Sequence, residues 1–294
     1  MNRDFVFVTD ADCEIPIEWE SQFELAVLPM PFSLEGKEYL YDLGKTVDMK
    51  SFYEKMRKGA APTTAQANPE DFKQLFIPYL DDEKDILYLG VSSALSGTVN
   101  NAALAASELL ESYPKRKIIV VDSLSISMPM GVLVRHAAQM RMDGESIESV
   151  RDWLMENRQR AFAFFTVNDL TYLKRGGRVS GAAAFFGTLL EIKPMLYING
   201  EGKLVPCTKV KGRKNAIKQM AKMCAEYADN IEQQIVYLLE ADCPEEAQTL
   251  VDALRDIAAP IDVQVVSIGP VIGSHAGPGT LGIVFMAKNR DIAL

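Results

Sequence analysis

At 294 residues the chain exceeds the usual single-domain size, so two domains are expected, and 48% hydrophobic with 24% charged residues suits a globular protein with a sizeable core. A net charge of -9 excludes an ordinary nucleic-acid binder, which needs a basic footprint for phosphate, though it leaves room for a local basic patch. The longest apolar runs, such as residues 161–167, fall far short of the roughly 20 residues that span a bilayer, which excludes integral membrane association.

Residues 1–4 lead straight into a strand-like run with no h-region or cleavage site, so no secretory signal is expected and the chain reads as cytoplasmic. Residues 5–9 form a short apolar run ending in Asp10 and Asp12, and residues 25–32 form a second. Helical spacing marks residues 48–58 and 69–80, the latter with Asn68 as N-cap. Buried strands rich in Ile, Val and Leu follow at 86–91 and 118–122, with helices at 96–110 and 127–142. Strands alternating with helices predict a mostly parallel sheet with helices on both faces, assigned here to an N-terminal α/β domain of residues 1–160.

A helix at 146–159 leads into the second domain, residues 161–294. Here a strand at 161–167 and a helix at 182–191 precede a hairpin of 193–198 and 203–208, joined through Asn199-Gly200-Glu201-Gly202. Helices at 215–227 and 245–258 then alternate with strands at 234–239 and 262–267, and 281–286 closes the sheet. The pattern predicts a mixed-sheet α/β domain, and the chain has no internal repeat.

Chemistry is carried by few residues. Cys13, Cys207, Cys224 and Cys243 show no CxxC pairing and read as reduced packing thiols, with neither a zinc site nor a disulfide framework. No Walker A loop, GxGxxG fingerprint or G-x-S-x-G elbow is present, so no cofactor, metal or nucleophile–base pair is expected. Ligands in parallel α/β folds gather at the carboxyl ends of strands, where Asp10, the turn at 92–98 and the Asp122-Ser123 pair fall. Ser93 and Ser96 in that turn, with Gly97 permitting close approach at a helix start, could grip an anion; the same hydroxyls could simply cap the helix.

Thr63 and Thr64 follow Pro62 on a rigid turn and can donate hydrogen bonds to a carboxylate or phosphate, or satisfy the turn itself. Lys174 and Arg175 with Gly176-Gly177-Arg178-Val179-Ser180 form a basic loop for a head group or an acidic partner, in competition with a solvated loop. Lys209, Lys211, Arg213 and Lys214 add positive charge that a solvated face would equally explain. Residues 182–190 mix small and bulky apolar side chains, as a lipid-lined wall or a plain core would, and His136 reads as a packed or partly exposed core histidine. The other histidine, His275, lies in the glycine-rich segment Gly273-Ser274-His275-Ala276-Gly277-Pro278-Gly279. Gly277 there lets backbone close on a ligand beside the imidazole; an incidental surface turn is the competing reading.

Seven motifs, in order, resemble the DegV family of bacterial fatty-acid-binding proteins: Val8-Thr9-Asp10 with Ile15-Pro16, Pro62-Thr63-Thr64-Ala65-Gln66, Ser92-Ser93-Ala94-Leu95-Ser96-Gly97-Thr98, Val121-Asp122-Ser123, Asp169-Leu170 with Tyr172-Leu173-Lys174-Arg175-Gly176-Gly177-Arg178, Ile192-Lys193-Pro194, and the segment around His275. The resemblance implies two α/β domains with one long-chain fatty acid buried between them, its carboxylate held by Thr64, Ser96 and His275. It also implies an acyl-carrying role beside a separate ATP-binding fatty acid kinase that makes acyl phosphate for phospholipid synthesis, with Arg178 important for that encounter. Two departures stand out. The family usually has Ser-Thr or Ser-Ala after the first aspartate, where this chain reads Asp10-Ala11-Asp12-Cys13-Glu14, and Lys211 replaces a common arginine, exchanging a fork for a point charge. Two other functions remain open: an enzyme or kinase subunit that handles a small carbonyl compound through His275, and a carrier of another anionic amphiphile.

Overall fold

The computed structural model describes residues 5–179 and 192–290. The helix expected at 182–191, the apolar segment at 182–190 and Ser180 lie outside the described residues. In chain order the first half contains β1 (Phe5–Asp10), α1 (Glu18–Gln22), β2 (Ala26–Leu28), β3 (Met30–Leu34), β4 (Lys37–Tyr41), α2 (Met49–Arg57), β5 (Thr63–Thr64), α3 (Pro69–Asp81), β6 (Asp85–Gly90), α4 (Thr98–Ser112), β7 (Ile118–Asp122), α5 (Met128–Met142) and α6 (Ile147–Asn157). The second contains β8 (Ala161–Thr166), α7 (Leu170–Gly176), β9 (Ile192–Ile198), β10 (Leu204–Lys211), α8 (Arg213–Tyr227), β11 (Ile235–Glu240), α9 (Pro244–Arg255), β12 (Asp262–Ser267), α10 (Pro270–Ala276) and β13 (Leu281–Met286).

The first sheet has the order β2-β1-β6-β7 and every pairing in it is parallel. Its central strands are buried on both faces, which is why Phe5 to Val8 and Ile86 to Leu89 read as unbroken apolar runs. The second sheet has the order β10-β9-β8-β13-β11-β12; only β11 and β12 run parallel, so this sheet is mixed, as expected. The α/β class and the two sheet types expected from the sequence are thus observed.

Three local readings need correction. The run at 25–32 is two strands: Pro29 cannot donate to a ladder, and the chain leaves the first sheet there. Past that proline, β3 joins a separate three-stranded sheet, β4-β3-β5. Its β4 is short and mostly exposed, with only Tyr41 buried; the sequence signal for it is the Glu35-Gly36 pair, both with positive φ, which makes the hairpin turn. The Lys174–Arg178 region is not a loop throughout. Lys174 and Arg175 occupy the last turn of α7, which Asp169 caps by accepting from Thr171 N at 2.8 Å and Gly177 ends at φ +68°.

Likewise, the glycine-rich segment around His275 is largely helix. Pro270 opens α10, His275 lies in its last turn, and Gly277 ends it at φ +82°. The helices expected at 69–80 and 127–142 form close to those bounds, and Asn68 caps α3 in a reciprocal capping box with Asp71.

One core lies between the two sheets, and the second sheet buries its other face in a core of its own. From Met128 to Val134 α5 is buried on all sides, and it packs on β1 of the first sheet and on β8 and β13 of the second. Arg290 fastens the junction: its buried guanidinium donates to the carbonyls of Leu124 (2.6 Å), Asn199 (3.2 Å), Arg158 (2.9 Å) and Ala161 (3.0 Å).

Candidate functional site

The carboxyl end of the parallel sheet is fixed by buried polar groups. Asp10, at the end of β1, accepts from Tyr88 Oη at 2.6 Å and from the backbone N–H of Val91 and Asp12, each at 3.2 Å. Burial pushes its carboxyl up to about 6, and these donors limit the rise. One turn further, Ser92 Oγ donates to Gly202 C=O at 3.0 Å, and Ser92 N donates to Ser125 C=O at 2.8 Å. The Asp122 carboxylate accepts from Leu124 N at 2.8 Å. Held on these sides, the turn at 92–98 presents Ser93, Ser96 and Gly97 to a cavity of about 340 Å³.

That cavity lies between the two sheets. Its polar end carries Thr64, Ser93, Ser96, Gly97, Arg178 and His275. Its apolar wall comes from the second sheet, through Ala163 and Phe165 of β8 and Leu239 of β11, and from Val271 and Ile272 of α10. Strand alternation explains the wall: Phe162 and Phe164 turn into the core behind the sheet, while Ala163 and Phe165 face the cavity.

Two chain segments 211 residues apart meet at the polar end, where Thr64 Oγ1 lies 2.8 Å from His275 Nε2. Burial, and then the nearby charges of Arg178 and Arg175, push the imidazole down to about 4, so it is neutral at pH 7. Its Nδ1 is buried without a partner among the described residues. This network assigns the ring proton to Nε2, since an unpaired buried N–H is the costlier orphan. His275 then donates to Thr64 Oγ1, and the threonine hydroxyl keeps its own proton for a ligand oxygen. Ser96 Oγ lies 2.9 Å from Thr98 Oγ1, a pair in which either hydroxyl can donate, and accepts from Thr98 N at 3.3 Å, so it braces its turn while lining the cavity.

Gly176 sets the position of the imidazole, because a Cβ there would overlap His275 Nδ1. Gly176→Ala is therefore expected to displace His275 and weaken binding of an anionic ligand by about tenfold or more, with far-ultraviolet circular dichroism unchanged. Titration of the variant against the parent protein checks this; equal affinity would show that the ring position is immaterial.

Not every expected residue reaches this cavity. Thr63 is exposed, since neighbouring strand residues point to opposite faces and Thr64 takes the inner one. Gly277 ends α10 against the Tyr172 ring and does not line the cavity. Lys211 is exposed at the end of β10. Arg213 is engaged elsewhere: Nη2 donates to Glu246 Oε2 at 2.6 Å and to Gly279 C=O at 2.6 Å, so it supports the segment after α10. His136 packs against Trp153 with the rings tilted and their centroids 5.3 Å apart, away from the cavity, and all four cysteines are free thiols. Asp12 and Ser127 do line the cavity and had not been singled out as site residues. For Asp12 the available signal is the departure at Asp10-Ala11-Asp12-Cys13-Glu14; nothing in the sequence distinguishes Ser127 from an ordinary turn residue.

A family model described as "Uncharacterised protein, DegV family" matches residues 4–288. The chain belongs to the DegV family. A DegV domain-containing protein of Clostridium perfringens is 38% identical over 289 residues, which cover 98% of this chain and 99% of that one. Among solved structures, a fatty-acid-binding DegV family protein from Thermus thermophilus is similar with a TM-score of 0.87 and 33% identity, covering 97% of this chain and 99% of the other. DegV of Bacillus subtilis, a fatty-acid-binding protein, is similar with a TM-score of 0.84 and 30% identity, covering 97% and 99%. The DegV likeness thus spans both sheets and every segment that lines the cavity. Among the described residues, no helix is long and apolar enough to cross a membrane.

Proposed function

We propose that this protein binds one long-chain fatty acid in the cavity between its sheets, with the carboxylate against Thr64, Ser96 and His275 and the acyl chain along the apolar wall. The observation that carries this reading is the Thr64–His275 pair, a neutral donor relay at the polar end of a largely apolar cavity. The similar DegV structures described as fatty-acid-binding support it. In this reading residues 1–160 and 161–294 form two units with the ligand between them.

Energetics divide the work. Burying about fourteen methylenes at ~0.8 kcal/mol each yields roughly 11 kcal/mol, against an association cost on the order of 4–15 kcal/mol. The tail supplies affinity, while Thr64, Ser96 and His275 select an acid over an alcohol or ester. A wall of Phe165, Leu239, Val271 and Ile272 favours an acyl chain over the small carbonyl substrate of the competing enzyme reading.

The proposal extends to a carrier role in the cytoplasm. The protein is read as a cofactor-free lipid-binding subunit that presents the bound carboxylate to a separate ATP-binding fatty acid kinase. There a carboxylate oxygen takes the γ-phosphoryl group of ATP, leaving acyl phosphate and ADP. Exposed Arg178, which both lines the cavity and donates to Gly176 C=O at 2.7 Å, is the cation placed for that encounter, with Lys211 further out. The test is titration of delipidated protein with hexadecanoic acid and hexadecanol. One equivalent of acid is expected to bind at least about tenfold more tightly than the alcohol; failure to take up the acid would overturn the reading.

A further inference from the structure

One buried side chain in the cavity has no task in holding the carboxylate. Asp12 follows β1 in a short 3-10 turn, is only 4% exposed and lines the cavity. Its backbone is fully used: N–H donates to Asp10 Oδ1 at 3.2 Å, and C=O accepts from Ser127 N at 2.8 Å. Its side chain is not, for Oδ1 is buried with no hydrogen-bond partner among the described residues. Burial, then the charges of Asp10 and Glu14, hold this carboxyl well above the usual carboxylate range. A neutral carboxyl is both donor and acceptor, and a methylene chain beside it satisfies neither.

The position of Asp12 along the ligand follows from α10. Two residues beyond Asp12, Glu14 accepts from Gly269 N at 2.6 Å, at the start of that helix. His275 lies six residues further along the helix, about 9 Å at the α-helical rise. Val271 and Ile272 line the cavity between the two ends. Asp12 is thus tied, through Glu14, to the end of α10 opposite His275.

We infer that Asp12 makes this cavity selective for fatty acids that carry a hydroxyl group in mid-chain. The inference rests on the proposed fatty-acid reading with its head group at His275. A mid-chain alcohol donates to one oxygen of Asp12 and accepts from the other, which removes the unsatisfied polar group that an unsubstituted chain leaves behind.

The experiment measures affinities of delipidated protein for octadecanoic acid and 10-hydroxyoctadecanoic acid, in the parent and in Asp12→Asn and Asp12→Val. The parent and the Asn variant are expected to favour the hydroxy acid by about tenfold, and the Val variant to favour the unsubstituted acid. A parent that prefers octadecanoic acid, or a preference for the hydroxy acid that persists in Asp12→Val, overturns the inference while leaving fatty-acid binding intact. Binding of neither acid by the parent overturns the fatty-acid reading itself, and the inference with it. Should the Val variant fail to fold, the parent and Asn ratios still decide.

Discussion

A Thr64→Val, Ser96→Ala double variant is expected to lose its fatty acid. Each hydroxyl that donates to a buried carboxylate contributes about 1.5–3 kcal/mol, so removing both should weaken binding by at least about 100-fold. Valine matches threonine in shape and keeps the β-branched fit of β5, so the loss falls on the head group and not on the strand. His275 would lose its Thr64 acceptor as well, which leaves a buried imidazole with neither nitrogen paired. Binding of hexadecanol, which has no carboxylate, should change far less. Equilibrium titration of both ligands reads the contrast; a double variant that retains hexadecanoic acid as the parent does would refute the head-group assignment.

The second large effect concerns stability and pH. Glu14 is buried, receives hydrogen bonds from Ser127 Oγ and Gly269 N, and is pushed by burial from 4.5 up to about 8. The folded state thus holds this proton more tightly than the unfolded chain does. Stability from Glu14 is complete below the unfolded value and is lost as pH rises from about 4.5 to about 8. At ~1.36 kcal/mol per pH unit the contribution reaches about 5 kcal/mol as an upper bound. Glu14→Gln mimics the protonated acid: its carbonyl can accept from Gly269 N, its amide can donate to Ser127 Oγ, and it cannot ionise. Urea unfolding across this window should show the parent losing stability toward alkaline pH and the variant losing much less. Asp10 and Asp12, raised in the same direction, remain in the variant and keep a residual slope. Parallel profiles for parent and variant would contradict the assignment of a proton to Glu14.

What the sequence made legible was whatever depends on local chemistry. Strands β12 and β13 form over the residues expected from their apolar runs, and Asn68 caps α3 as its position before Pro69 implied. Among site residues, Thr64, Ser93, Ser96, Gly97, Arg178 and His275 do converge on one cavity. Several features escaped because they depend on partners distant in sequence. Strand β4 is mostly exposed and exists through its pairing with β3, and Thr63–Thr64 becomes a strand only beside Ser33 and Phe32. The cavity face of β8 could not be told from its core face, because Ala161–Thr166 is apolar at almost every position. Arg213 looked like a free cation until Glu246 and Gly279 were seen against it. Two helices carry their boundaries in the sequence: Asp169 and Gly177 bracket α7 as caps, and Pro270 and Gly277 bracket α10.

That last bracket changes the place of His275. Helix α10 carries it into the cavity from one side while β5 brings Thr64 from the other, so the pair exists only when both halves of the chain are folded together. Mass spectrometry under denaturing conditions, on protein purified from bacteria, tests the central claim most directly. A long-chain fatty acid of about fourteen to eighteen carbons should be released in near one-to-one ratio, the tail length at which burial outweighs the cost of association. Ligand-free protein that also fails to take up any such acid when offered it would contradict the account.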